Sequence, residues 1–385
     1  MQVERVKRVG VIGGGQLAWM MVPAADRLGL ELVVQTPQAT DPAAPIATET
    51  VLAAIDDAAA TAHLATRCDV ITFENEFVDL PALSPLAEQG IRFLPSLETL
   101  APLLDKYDQR CFLRDRGLPV PQFTLLSVEQ GLPEKQPLNF PLVLKVRRHG
   151  YDGQGTFIVK TWEDLEEICQ KLGQPSVLVE EWIPFERELA VMVARSLTGE
   201  VALYPVAETQ QENQVCRRVI VPADVPAATI TEIEAIARTL MEHLNAVGVF
   251  GIELFLTRKG KVLINEIAPR THNSGHYTLD ACETSQFEQQ LRAVAQLPLG
   301  DTQLKDAGAV MVNLLGFETS QSDYGNRRSS LAAIPHAQVH WYGKNQSYPG
   351  RKLGHVTVRI PAEEADLKTE AARLSQTIES IWYGK

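Results

Sequence analysis

The sequence predicts a multi-domain chain of α/β and α+β character, and three observations carry that prediction. Its 385 residues exceed what one ordinary hydrophobic core organises, which argues for two or three domains. Up to about residue 95 it alternates strand and helix patterns, the signature of a parallel sheet. Beyond that, strands pair through tight turns, and from about residue 306 a small mixed segment closes the chain.

The elements follow in order. "RVGVIGGGQLAWMMVPAADRLGL" reads as strand, glycine turn and helix, with "ELVVQT" and "DVITFE" as further strands of the first domain. "SLETLAPLLDKYDQRCFLRDRGLPVPQF" reads as one helix that closes at Gly117. "FPLVLKVRR" and "TFIVKT" are strands on either side of a glycine loop at 150–155, followed by the helix "WEDLEEICQKL". "SVLVEEWI" and "ERELAVMVAR" are strands, "TITEIEAIARTLMEHLNA" is an amphipathic helix, and "VFGIELFLTRKGKVLINEIA" is a hairpin. "AVMVNLL", "QVHWYG" and "GHVTVRI" are short strands before a last helix. The most linker-like stretch is "EKQPLNFP", near 134–141.

Composition narrows the function. Hydrophobic residues make up 45% and charged residues 22%, as in soluble globular chains. A formal net charge of −12 argues against a nucleic-acid or anionic-membrane surface, while leaving room for a local basic pocket. The five cysteines (Cys68, Cys111, Cys169, Cys216, Cys282) are scattered and form no CxxC pair, which suggests reduced thiols in a cytoplasmic protein. No run of about 18 apolar residues exists, and the N-terminal apolar stretch is too short for a signal peptide.

The hairpin carries the sharpest signal. A turn centred between Lys259 and Gly260 places Arg258 opposite Lys261 and Glu253 opposite Glu266. Opposed side chains share a face with Cβ atoms about 4.5–5.5 Å apart, and two like charges there destabilise the pair unless something neutralises them. The flanking residues are largely apolar. A divalent cation with phosphate oxygens would satisfy two such carboxylates, and Mg²⁺ is the expected ion. A protonated glutamate or an exposed edge is the alternative, and a one-residue slip would separate the two acids.

Two glycine loops suggest phosphates. "VLKVRRHGYDGQG" sets Lys145 at a strand end, five residues before a loop with Gly150, Gly153 and Gly155. Such a loop covers phosphates with backbone N–H groups, and it is not a Walker A loop because no GK[ST] is present. An ordinary surface hairpin is the alternative. The N-terminal "GGGQLA" (Gly13, Gly15, Ala18) matches the dinucleotide pattern and raises a nicotinamide-dependent oxidoreductase as a rival. That reading needs an acid at the end of the second strand, where Gln35 and Thr36 stand. The turn is therefore read as binding a different phosphate at the helix N-terminus, or as inert. In "VLVEEWIPFERELAV", Glu180–Ile183 suit an adenine edge and Glu188 suits ribose hydroxyls, with solvated charges as the alternative. Lys344, Arg351 and Lys352 cluster in a Pro-Gly turn and suit a monophosphate, or form a solvated basic turn.

Together, the glycine lid with its upstream lysine, the hinge acids and the carboxylate pair resemble the ATP-grasp superfamily. "GGGQL", "GYDGQG", "NEIAPRTHNSGHY" and "PGRKLGH", in that order over nearly the whole chain, look like the 5-(carboxyamino)imidazole ribonucleotide synthase family of purine biosynthesis. The resemblance implies an ATP-grasp fold with a Rossmann-like preATP-grasp domain (1–100), an ATP-grasp domain (101–305, with a mobile lid at about 125–182) and a small mixed C-terminal domain (306–385). It implies a cytoplasmic homodimeric ligase that uses ATP, Mg²⁺, bicarbonate and aminoimidazole ribonucleotide, with no nucleic-acid or membrane partner.

Carried over position by position, the resemblance implies that ATP meets Lys106, Lys145, the lid residues Gly150, Tyr151, Asp152, Gly153, Gln154, Gly155 and Thr156, the hinge residues Glu180, Glu181, Trp182 and Ile183, and Glu188. Mg²⁺ would meet Glu253 and Glu266, with Asn265 beside the nucleotide. Gln16, Leu17, Glu74, Tyr151, Asp152, Asn273, Lys344, Arg351 and Lys352 would hold the ribonucleotide. Arg270 and His272 would face bicarbonate, and Asp152 would orient the amine or take its proton. The chain departs from the family pattern in two places, and in a third, as expected for this branch, from the wider superfamily. It has Gln16-Leu17-Ala18-Trp19-Met20 where GQLGRM is frequent, Gln211 where a histidine is frequent in the ATP site, and Ala268 where many other ATP-grasp enzymes place a metal-binding asparagine. Rival readings are a formate-dependent glycinamide ribonucleotide ligase, the oxidoreductase, and a nucleotide-binding regulatory protein without catalysis.

Overall fold

The computed structural model describes residues 5–128, 138–148, 150, 155–363 and 366–384. The expected site residues Tyr151, Asp152, Gly153 and Gln154 lie outside these, as does part of the linker-like stretch.

The N-terminal elements are β1 (Arg8–Ile12), α1 (Gln16–Leu28), β2 (Glu31–Thr36), β3 (Glu49–Leu52), α2 (Ala58–Ala65), β4 (Val70–Phe73) and α3 (Leu80–Glu88). The strands form one parallel sheet in the order β3-β2-β1-β4, as the alternating pattern predicts. Its strands read as apolar runs because helices bury both faces. The chain moves from β1 to β2 on one side and reaches β4 on the other, so a crevice opens at the carboxyl ends of β1 and β4, where open α/β sheets bind ligands.

The expected single helix ending at Gly117 is two helices, α4 (Leu97–Leu100) and α5 (Lys106–Asp115). Pro102 has no N–H to donate and Asp105 offers a side-chain acceptor, so the chain restarts there. Asp105 accepts from the backbone of Tyr107 (2.9 Å) and Asp108 (3.3 Å) and caps α5. This restart places Lys106 at the first turn of α5.

A second, antiparallel sheet joins β5 (Phe123–Ser127), β6 (Leu142–Lys145), β7 (Thr156–Val159) and β8 (Ser176–Glu181) in the order β5-β8-β6-β7. Helix α6 (Trp162–Leu172) covers it, capped by a reciprocal Thr161–Asp164 box and ended by Gly173 at φ 57°. Leu126, Leu142, Leu144, Val159, Leu165, Val177 and Val179 give this layer its own small core.

The largest sheet contains β9 (Phe185–Arg195), β10 (Val201–Leu203), β11 (Ala207–Glu212), β12 (Val215–Val221), then, after α7 (Ala227–His243), β13 (Gly248–Thr257) and β14 (Val262–Ala268). After α8 (Thr278–Ala281) and α9 (Gln286–Val294) come β15 (Gly308–Leu315), α10 (Gly325–Ala332), β16 (Ala337–Trp341), β17 (Lys352–Ile360) and α11 (Leu367–Tyr383). The strands run β14-β13-β9-β11-β12-β15-β17-β16, with β10 on β9. The C-terminal strands therefore extend the central sheet through the β12–β15 pair. Helix α9 ties in the first domain, since Phe287, Leu291 and Val294 share a core cluster with Leu17, Met21 and Val34.

The hairpin register is part expected and part new. Glu253 faces Glu266, as expected. Near the turn, however, Leu256 faces Val262 and Thr257 N–H donates to Lys261 (3.0 Å), so Arg258 does not oppose Lys261. The turn occupies Arg258-Lys259-Gly260, with Gly260 at φ 75°. A bulge then inserts Asn265 between the residues facing Glu253 and Leu254 and restores the acid pair.

Candidate active site

At the hinge, β6 and β8 bring Lys145 and Glu180 together and α5 adds Arg110. Lys145 Nζ lies 2.8 Å from Glu180 Oε2, and Arg110 Nε donates to Glu180 Oε1. All three are buried. Burial alone would push the Glu180 carboxyl up, but Arg110 and Lys145 hold it down at about 2. Burial lowers the Lys145 ammonium, against the pull of Glu180. Lys145 also donates to Asn265 Oδ1 (3.1 Å), which links the hinge to the hairpin bulge.

At the hairpin, Lys106 Nζ approaches Glu266 Oε1 at 2.5 Å. Burial works against the Glu266 charge, but Lys106 and Lys145 overcome it and hold the carboxyl below its usual range. Glu253 has no such partner. Burial first, then the Glu266 charge, push it up to about 7, with Lys106, Lys352 and Lys145 only partly opposing this. Glu188, on the neighbouring strand, is likewise pushed up to about 7 by burial and by Glu253. Three acids thus face a space where cation charge is short.

The N-terminal glycine turn differs from the expected phosphate cradle. Glu74, at the end of β4, reaches into the crevice and accepts from the backbone N–H of Gly15 (2.9 Å) and Leu17 (3.1 Å). A Cβ at Gly13 or Gly15 would collide with that carboxylate. The glycines thus make room for the chain's own acid, which occupies the helix terminus proposed for a phosphate. Gln35, the residue that disfavours NAD, is buried and donates to the carbonyls of Ala54 (2.7 Å) and Asp57 (3.3 Å).

The segment after β14 joins these parts. Arg270 makes a bidentate pair with Glu76, both bonds 2.8 Å, and also feels the charges of Glu74 and Glu266. His272 Nε2 lies 3.6 Å from Glu253 Oε1, and its Nδ1 is 2.9 Å from Ser274 Oγ. The Asn273 amide exchanges two hydrogen bonds with Asn313 on β15, at 2.9 and 2.7 Å. On the C-terminal side, Arg351 donates to the Gln346 carbonyl (2.7 Å) and stacks over Tyr348, and Lys344 lies over Tyr342. Lys352 opens β17, and its charge reaches Glu253 and His276.

The structure therefore brings Lys106, Lys145, Glu180, Glu188, Glu253, Asn265, Glu266, Arg270 and His272 into one charged region, with Glu74 reaching it through Arg270. Glu181 accepts from the Gln122 N–H (2.8 Å), Trp182 is exposed and Ile183 buried at the hinge. Gln16 opens α1 beside Leu17. Gly150 and Gly155 (φ 84°) lie on either side of residues 151–154, and Thr156 opens β7. Gln211 sits past a bulge on β11, two residues beyond the Thr209 that faces Glu188. The sequence reading missed Arg110, Glu76 and Asn313. Asp105 was missed as well; it caps α5 and pairs with Arg147 (2.9 Å). For Asn313 the available signal was an amide residue inside an apolar strand, "AVMVNLL", whereas the polar helix around Arg110 gave none.

Comparison with known proteins agrees along the whole chain. Residues 6–102 match a family described as the ribonucleotide synthetase preATP-grasp domain, 111–287 the ATP-grasp domain, and 309–369 the phosphoribosylaminoimidazole carboxylase C-terminal domain. The chain is 57% identical to the N5-carboxyaminoimidazole ribonucleotide synthase of Synechococcus elongatus, over 99% of this chain and 96% of that one. It is 38% identical to the Bacillus subtilis enzyme of the same name, over 92% of each. Among solved structures it is similar to N5-carboxyaminoimidazole synthase from Aspergillus clavatus in complex with ADP and 5-aminoimidazole ribonucleotide (TM-score 0.89, 32% identity, 99% of this chain and 100% of that one). It is also similar to the synthetase from Thermotoga maritima (TM-score 0.85, 38% identity, 97% and 98% covered).

Proposed function

The chain belongs to the N5-carboxyaminoimidazole ribonucleotide synthase family of ATP-grasp ligases, and from that premise we propose how its residues divide the work. The reaction is ATP- and bicarbonate-dependent carboxylation of the exocyclic amine of 5-aminoimidazole ribonucleotide, releasing ADP and phosphate, in purine biosynthesis. The single observation that carries our residue assignment is the opposed Glu253–Glu266 pair, in which Glu266 has a lysine partner and Glu253 is left with surplus negative charge.

That surplus fits a divalent cation bound with nucleotide phosphates. Glu253 and Glu266 would hold Mg²⁺, which supplies positive charge to the phosphates being separated. Lys106, Lys145, Glu188, Asn265, Gln211, the hinge at Glu180–Ile183 and the lid loop would hold the nucleotide. Gln16, Leu17, Glu74, Asn273, Lys344, Arg351 and Lys352 would hold the ribonucleotide.

In this reading a bicarbonate oxygen attacks the γ-phosphorus and the bond to ADP breaks, giving carboxyphosphate. That breaks down to phosphate and CO₂ beside the amine, whose nitrogen attacks the carbon and sheds a proton. Arg270, fixed by Glu76, stabilises the spreading anionic charge, and His272, 3.6 Å from Glu253, faces the bicarbonate with it. A closed lid matters because water would hydrolyse the intermediate. Asp152 is our candidate for receiving the proton.

We further propose domain limits at 1–100, 101–305 and 306–385, a lid spanning about 125–182, a homodimer, and a cytoplasmic location. The separate core of the β5–β8 sheet supports the lid assignment. No helix of the described residues is long and apolar enough to cross a membrane. The test is ADP release measured with bicarbonate, with and without aminoimidazole ribonucleotide, and with formate in place of bicarbonate. Release that requires formate would favour the glycinamide-type ligase. Saturable NAD(H) binding with no ATP binding would favour the oxidoreductase.

A further inference from the structure

Behind the basic turn lies a cluster that the reaction does not use. Asp280 is the next-to-last residue of α8, while His340 on β16 and His355 on β17 face each other directly across the two strands. His340 Nε2 is 2.8 Å from Asp280 Oδ2. The His340 and His355 rings stack at 4.6 Å, and His276 lies on His355 at 5.0 Å. His355 is fully buried. Its Nδ1 is 2.8 Å from the Tyr342 hydroxyl, while its Nε2 has no hydrogen-bond partner among the described residues.

A buried imidazole nitrogen with no partner is unusual, because desolvation goes uncompensated. His355 belongs to a group in which one ligand atom from each of Asp280, His340 and His355 lies within 4.8 Å of the others. A tetrahedral ion with bonds of about 2.0 Å sets its ligands about 3.3 Å apart, so on binding the three groups draw together and the His340 and His355 rings turn out of their stack. The Tyr342 contact on His355 Nδ1 is the kind of outer hydrogen bond that fixes a metal-binding imidazole and leaves the other nitrogen bare.

We propose that Asp280, His340 and His355 bind one divalent transition-metal ion of the Zn²⁺ class, with water in the fourth position. Two imidazoles and one carboxylate select Zn²⁺, Co²⁺ or Ni²⁺ over Mg²⁺. Binding replaces the His340 Nε2–Asp280 hydrogen bond with two bonds to the ion, the neutral imidazole carrying its hydrogen on Nδ1, and involves no redox step. The ion pins α8, which follows the Arg270–Tyr277 segment, to the two strands that flank Lys344, Arg351 and Lys352. It fixes the relative placement of the two sets of substrate-facing residues without touching substrate.

The test uses the full chain, stripped with a chelator and titrated with Zn²⁺ against a chromophoric competitor in excess Mg²⁺. A parallel Co²⁺ titration is read by its visible absorption. A Glu266→Gln background removes the carboxylate pair as a competing site. The expected result is one Zn²⁺ per chain in that background, with affinity weaker by about 100-fold or more in His340→Gln and Asp280→Asn, because losing a direct ligand costs at least as much as losing an outer hydrogen-bond partner. Zn²⁺ should raise the melting temperature of the parent and not of the two variants. His355→Ala leaves a cavity in a buried stack and is avoided. A parent chain that takes up no stoichiometric Zn²⁺, or variants that bind it as the parent does, would overturn the proposal.

Discussion

Glu180 is buried and Glu253 half-buried in neighbouring sheets, and the two acids end at opposite electrostatic extremes. Glu180 is enclosed by Arg110 and Lys145 and is held at about 2. Glu253 faces another carboxylate and is pushed up to about 7. Burial opposes the charge at both. Only the local count of cations differs. The hinge is complete by itself, whereas the hairpin is complete only when something positive arrives. A buried acid is therefore a poor functional signal alone, and an unbalanced pair of them is a good one.

The strongest way to break this comparison is to remove charge at the hairpin. Glu266→Gln and Glu253→Gln should each lower kcat/KM by roughly a thousandfold or more, because they weaken charge stabilisation at the phosphates. Circular dichroism should stay native. Wild-type turnover in either variant would reduce the hairpin to the same structural status as the hinge.

Removing charge at the hinge should instead cost stability. Glu180→Gln leaves Arg110 and Lys145 buried without their carboxylate, a loss of about 3–5 kcal/mol. Urea unfolding at neutral pH reads this directly, and an unchanged midpoint would show that the hinge cluster is less self-contained than its geometry indicates.

Lys352 probes the cation supply from the far side. Lys352→Ala should raise the KM for the ribonucleotide by about 10–100-fold, since a charge-assisted hydrogen bond to a phosphate contributes roughly 1.5–3 kcal/mol. The KM for ATP should barely move. A rise in the ATP value would assign Lys352 to the nucleotide, and no change in either would leave the turn as solvated surface.

The smallest effect is one of pH. The folded Glu253 and Glu188 carboxyls both lie above their unfolded value of 4.5, so the folded state binds these protons more tightly and stability falls as pH rises through about 7. Without metal, the chain should be more stable at about pH 6 than pH 8 by about 1–2 kcal/mol, a value reduced for partial solvent access. Glu253→Gln should reduce that slope in thermal melts and leave the part that burial of Glu188 sustains. An unchanged slope in the variant would trace it to a group other than Glu253.

Much of this contrast was legible in the sequence, but not all of it. The facing of Glu253 and Glu266 followed from hairpin periodicity, yet the turn assumed there was displaced by a residue. The Asn265 bulge compensates, and no local pattern announces a bulge. The split at Asp105 was readable from Pro102 and a capping residue, but the apolar spacing masked it. The partners Lys106 for Glu266, Arg110 for Glu180 and Glu76 for Arg270 come from distant parts of the chain, and no spacing rule reaches that far. The glycine turn misled for a related reason: the group that requires its glycines is Glu74, from another strand.

The β12–β15 pair also bears on how the chain can be divided. Arg218–Val221 hydrogen-bonds in register with Ala309–Val312, across the limit proposed at residue 306. Severed there, neither fragment would be an autonomous unit, because each would carry a raw strand edge matched only by the other. The C-terminal portion is thus not a detachable module that could be exchanged among enzymes. Two fragments expressed together have a built-in seam for reassembly by strand complementation, and either one alone has a template for aggregation.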